Sequence, residues 1–147
     1  MAGQTPLFIE ASGRNHSVPD HFQDVVVILN TATTPVDTSD TIIFYAERET
    51  VVDKVVFWSG TGSDTDQSFQ LKRIASAQDP DGAGTAFTTA LSITAANTPF
   101  SATLTAVSGI PTENIIPAGS MIAVNIEGTG SAMDVGIQLR IRTRVTG

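Results

Sequence analysis

Along this chain apolar residues alternate with polar ones over short spans and stop at clusters of turn-forming residues, the period of two that marks half-buried strands. Phe22 to Leu29 is rich in β-branched residues and closes on the turn-forming stretch Asn30-Thr31-Ala32-Thr33-Thr34-Pro35. Thr41 to Ala46 follows as a second short strand. Thr50 to Ser59 is apolar on both faces after Lys54: Val55 and Phe57 point one way, Val56 and Trp58 the other, which predicts a strand covered on both sides at that end. In Ser68 to Ala75, Phe69 and Leu71 alternate with Gln70 and Lys72, so one face meets a core and the other meets solvent or a partner.

Asp79-Pro80-Asp81-Gly82-Ala83-Gly84 is a dense turn signal. It precedes Thr85 to Ile93, where Phe87, Thr89, Leu91 and Ile93 share one face, and together these predict a hairpin with the strand before. Between Ala95 and Ile116 the spacing of Phe100, Leu104, Val107 and Ile110 is near-helical, but Thr and Ser dominate, and the reading is a short strand plus irregular loop. Pro117-Ala118-Gly119-Ser120 is a tight turn before Met121 to Ile126; Gly128-Thr129-Gly130 then leads into a final strand, Ala132 to Val145.

About eight short strands with no alternating helices point to an all-β fold, an antiparallel β-sandwich of jelly-roll-like form over residues 22–147. Residues 1–21 read as an extended N-terminal arm: Gly3, Pro6, Gly13 and Pro19 break any regular element, and Leu7-Phe8-Ile9 is its one apolar anchor. At 147 residues the chain has material for one core, burying roughly 70% of the surface its unfolded form exposes.

Composition sharpens this picture in two ways. Charged residues make up only 16% of the chain, with Thr, Ser, Ala and Gly in their place, which favours strands and turns over long helices. The net charge is −7, so the overall field repels phosphate backbones and nucleic acid is not an expected partner. With no Cys, disulfides, thiolate nucleophiles and Cys-based zinc sites are excluded. No basic region followed by an apolar stretch opens the sequence, and no run approaches the roughly 20 apolar residues of a membrane span, so a product made in the cytoplasm with no membrane partner is expected.

Candidate chemistry is sparse. His16 and His21 both lie in the arm without a companion ligand. Asp79, Asp81 and Gly82 resemble the start of a calcium loop but lack its later acidic ligands, and Asp64 with Asp66 reads as a solvated turn. No GxSxG or SxxK pattern supports a serine nucleophile, and neither Gly60-Thr61-Gly62 nor Gly128-Thr129-Gly130 opens a helix or carries the Lys of a phosphate loop; both read as hairpin glycines. No catalytic residue, cofactor or metal is expected. Trp58 and Tyr45 offer a sugar-stacking platform as the alternative, although Trp58 sits in the most apolar strand and reads first as a core residue.

The last strand carries the sharpest feature. Arg140, Arg142 and Arg144 alternate with Leu139, Ile141 and Val145, so three of the eight basic residues project from one face. Such crowding implies acidic neighbours on the next strand or a docking surface, or else a solvated edge that resists aggregation.

From Val51 onward the order DKVVFW, SFQLKR, AFTTALSITAANTPFSATLTAV and IPAGSMIAVNIEGTGSAMDVGIQLRI resembles small jelly-roll head decoration, or capsid cement, proteins of tailed bacteriophages. The ending from Pro117 to Ile141 looks like their closing hairpin. The resemblance implies a structural subunit, a homodimer or homotrimer, that binds the major capsid protein of its own virus on the outer surface of the assembled head. The arm has no counterpart in that pattern. Leu7, Phe8 and Ile9 are expected to contact a neighbouring subunit, and Arg140, Arg142 and Arg144 are the second expected contact.

Overall fold

The β-branched and aromatic runs of the sequence become nine strands in a computed structural model that describes residues 22–29, 40–61, 67–78, 84–105 and 114–143. The strands are β1 (Gln23–Leu29), β2 (Thr41–Tyr45), β3 (Thr50–Trp58), β4 (Ser68–Ile74), β5 (Thr85–Ala86), β6 (Phe100–Ala102), β7 (Ile115–Ile116), β8 (Met121–Glu127) and β9 (Val135–Thr143). One sheet runs β1-β9-β3-β6, with β7 paired to the start of β3; the second runs β2-β8-β4-β5. All the pairings are antiparallel.

Apart from β7 the pairing is nested: β1 with β9, β2 with β8, β3 with β6 and β4 with β5. That is one long hairpin rolled into two facing sheets, the jelly-roll arrangement. In a rolled hairpin consecutive strands mostly fall in opposite sheets. The segments after β3 and after β8 therefore cross between sheets, which corrects the reading of Gly60 and of Gly128-Thr129-Gly130 as hairpin glycines and of Pro117 to Ile141 as a closing hairpin. The two crossings are stitched together: the Ser59 hydroxyl donates to the Met133 carbonyl at 2.7 Å, the Gly60 amide donates to the same oxygen at 3.0 Å, and the Thr61 hydroxyl donates to Ser131 at 2.8 Å. The Pro117–Ser120 turn is as expected, with Gly119 at φ +84° donating its amide to Ala46 at 2.8 Å.

Inward faces meet in a core that includes Val55, Phe57, Phe69, Leu71, Phe87, Ile122, Val124, Ile137 and Leu139, all fully buried. Phe57 of one sheet and Phe69 of the other place their ring centroids 6.0 Å apart at a tilt of 40°, a contact that joins the layers. The predicted strand Thr85 to Ile93 is regular only at Thr85–Ala86. Beyond it Phe87 and Ile93 are fully buried and Leu91 packs against the core, as the shared face requires, but Thr88 is buried and Thr89 exposed, because this segment bridges the layers: Phe69 pairs with Leu91, Thr88 pairs with Leu104, and the Thr88 hydroxyl accepts the Leu71 amide at 2.9 Å. The result is a flank closed by residues 84–105. On the opposite flank β1 and β2 are terminal strands of their sheets.

The arm with Leu7, Phe8, Ile9, His16 and His21, the acidic turns with Asp64, Asp66, Asp79 and Asp81, the residues Val107 and Ile110, and Arg144 with Val145 lie outside the described residues.

Candidate interaction surface

The outward side of the β1-β9-β3-β6 sheet is built in rows. The register places Ile28, Gly136 and Trp58 side by side, then Val26, Gln138, Val56 and Ser101, then Asp24, Arg140 and Lys54. Val26 and Ile28 are 54% and 51% exposed, and Phe22, just before β1, is 58% exposed. Val56 and Trp58 are half-buried. This makes an apolar strip on a strand-paired, stiff surface, with charges at one end.

Trp58 is not in the core, which corrects its first reading. Its indole lies across Gly136 on the outward face, so closely that a Cβ at Gly136 would overlap the ring. The glycine is therefore a seat: it removes the one side chain that would stand between Trp58 and Ile28, and the indole covers backbone that glycine leaves bare. The expectation that β3 is covered on both sides holds fully for Val55 and Phe57 and only by half for Val56 and Trp58.

The arginine row is resolved by its neighbours. Arg140 is half-exposed and its Nε donates to Asp24 Oδ1 at 3.2 Å across to β1; on its other side it faces Lys54. Arg142 pairs with Asp53 at 3.4 Å, and Asp53 owes its position to the irregularity in β3 between Val52 and Lys54. The hydrogen bond from Arg140, helped by the field of Arg140, holds the Asp24 carboxyl below its ordinary value. Acidic neighbours thus compensate both described arginines, the first of the expected explanations for the row.

On the other sheet the outward face carries a buried ion pair, Lys72 of β4 with Asp40, reaching over Ala123 of β8; their side chains are 11% and 5% exposed. Arg73 points instead into the sandwich end and donates to the Ile115 carbonyl at 2.9 Å, tying β4 to β7 of the opposite layer. Tyr45 is 57% exposed at the end of β2 near the start of β3, whereas Trp58 ends β3 in the other sheet, so the two rings form no common platform. Among the described residues no three His, Cys, Asp or Glu side chains converge as metal ligands, and no helix is long and apolar enough to cross a membrane.

Val26 and Ile28 were not singled out from the sequence. The signal was present, since Val25 to Leu29 is an unbroken apolar run; a strand with one face on a core and the other apolar as well must expose that second face unless another layer covers it.

No protein-family model matches the chain, and no curated protein matches it. Among solved structures, a chain of infectious bursal disease virus, Gx strain, matches 92% of this chain at 15% identity and a TM-score of 0.38, and the match spans 36% of that chain's own length.

Proposed function

We propose that this protein is a structural subunit of a virus particle, a decoration or cement protein that binds the outer surface of an assembled phage head and bridges neighbouring major capsid subunits. The observation that carries the reading is the apolar strip Val26, Ile28, Val56 and Trp58 on the outward sheet face, bordered by Asp24, Arg140 and Lys54. An apolar centre with a charged border on a rigid surface is the anatomy of a protein contact. A sheet also presents such a strip with little entropy to lose on docking. The resemblance from Val51 to Ile141 supports the same reading, and a repeating shell suits a small subunit because many weak contacts act together.

The test is co-sedimentation of the purified protein with undecorated heads. Saturable, stoichiometric binding with greater head resistance to heat is the expected result, and the variants Val26→Asp and Ile28→Asp should lose binding while melting like the parent. Absence of binding by the parent protein overturns the reading.

A carbohydrate- or receptor-binding module on a virion or tail is the second reading, favoured by the exposed Tyr45 beside Glu47 and Arg48 in one cleft. Glycan-array binding lost in Tyr45→Ala, with no binding to heads, is the outcome that selects it.

A further inference from the structure

The open flank contains a cleft of about 320 Å³ between the ends of β1 and β2, with Val25, Phe44, Tyr45 and Ile141 supplying its apolar wall. Glu47, Arg48, Thr50 and Thr143 stand at its polar border, and Gln23, the first residue of β1, lines it too. The inward-facing Val25, Ile43 and Phe44 here are only partly buried, whereas their counterparts Val52, Val55 and Leu139 are fully buried. Among the described residues, these core-facing side chains are only partly covered, and both terminal strands present an edge.

We propose that the cleft is the seat for the amino-terminal segment Leu7-Phe8-Ile9-Glu10 of a second copy of this chain, the two copies exchanging segments reciprocally. The apolar triplet meets the apolar wall, and Glu10, directly after it, is placed to pair with Arg48 on a border that also carries Glu47. Gln23 at the start of β1 lines this same cleft, and residues 10–22 separate it from Ile9 in the sequence. Extended, that spacer covers roughly 45 Å. A return into the same cleft needs only about 4–6 residues, while a domain of this size is roughly 30 Å across; the spacer has the reach for a neighbour and more than a local turn requires. Reciprocal exchange between two copies fills the one cleft of each with the one segment of the other, which closes the contact as a dimer.

This inference rests on the self-association that the sequence resemblance implies but not on shell binding, and its test is done in solution without heads. The absence of cysteine makes the chain a clean background. One full-length variant carries Leu7→Cys, Phe8→Cys or Ile9→Cys, and a second carries Thr143→Cys. Under mild oxidation, the expected result is a disulfide-linked mixed dimer from at least one of the three pairings, with at least a tenfold excess over a pairing that uses Ser101→Cys on the outward face. Association measured by sedimentation should fall at least tenfold in Glu10→Arg and in Arg48→Glu and recover when both changes are combined. A disulfide that forms only within one chain, in variants carrying both cysteines, shows that the segment seats in its own cleft and overturns the exchange. No disulfide at any of the three positions overturns the seat itself, whatever the outcome with phage heads.

Discussion

The two flanks of this sandwich are made from the same kinds of residues but are finished differently. On one, residues 84–105 leave the β2-β8-β4-β5 sheet and join the other, with Thr88, Phe87 and Ile93 fully buried along the way. On the other, β1 and β2 end their sheets and the inward side chains Val25, Ile43 and Phe44 remain partly covered. The lesson is that strand propensity alone does not complete a β-sandwich. The closed flank is completed by hydroxyl and amide groups that satisfy backbone atoms while the chain changes layer, and where no described segment does this the core-facing side chains stay partly exposed.

Substitutions graded by this contrast should separate the regions. Phe57→Ala removes the ring that touches Phe69 across the layers and should cost about 3–5 kcal/mol, read as loss of the folded baseline or a large drop in the urea midpoint. Val25→Ala on the open flank should cost only about 1 kcal/mol, and equal costs at the two sites would erase the distinction. Thr88→Val deletes the acceptor for the buried Leu71 amide and should cost about 1–3 kcal/mol, with faster hydrogen exchange at Leu71. Gly136→Ala forces the indole of Trp58 off its seat at about 1–3 kcal/mol; because Trp58 is the one tryptophan of the chain, its emission should shift to the red in the folded protein.

The smallest effect is expected at Asp24. Its carboxyl, held by Arg140 below the ordinary value of 3.8, adds stability that is fully present above that value and is lost as pH falls through the lower folded value. Hydrogen exchange in β1 should therefore quicken below about pH 4 before β3 or β9 responds, and Asp24→Asn should abolish that early loosening.

Most strands were legible because their residues state one environment. The runs at β1, β2, β3, β4 and β8 follow the alternation or the apolar continuity of the sequence to within a residue or so at their ends. Residues 85–105 were legible only in part: the pairing of β4 with β5 and the short strand β6 were expected, but here Phe69 and Leu104 act as pairing partners from opposite layers, so no single period describes residues 87–93, and Thr88 serves the backbone instead of a face. The candidate surface was half legible. The arginine row announced itself by spacing, but its partners Asp24 and Asp53 depend on cross-strand register and on an irregularity in β3, which are long-range facts. Trp58 was misplaced for the same reason, since only the register brings Gly136 beneath it.

The nested pairing also sets an order of events during synthesis. β9 lies between β1 and β3, so the central position of that sheet is filled by the last of the described strands, with Gln23 pairing to Ile141. Until residue 143 has left the ribosome, β1 and β3 lack their shared partner, and any shorter product carries two exposed edges suited to wrong pairings. Contacts this distant in sequence make for refolding on the scale of milliseconds to seconds or slower. Production of this protein is therefore expected to be all or nothing: full-length chains fold, while chains stopped within β9 aggregate.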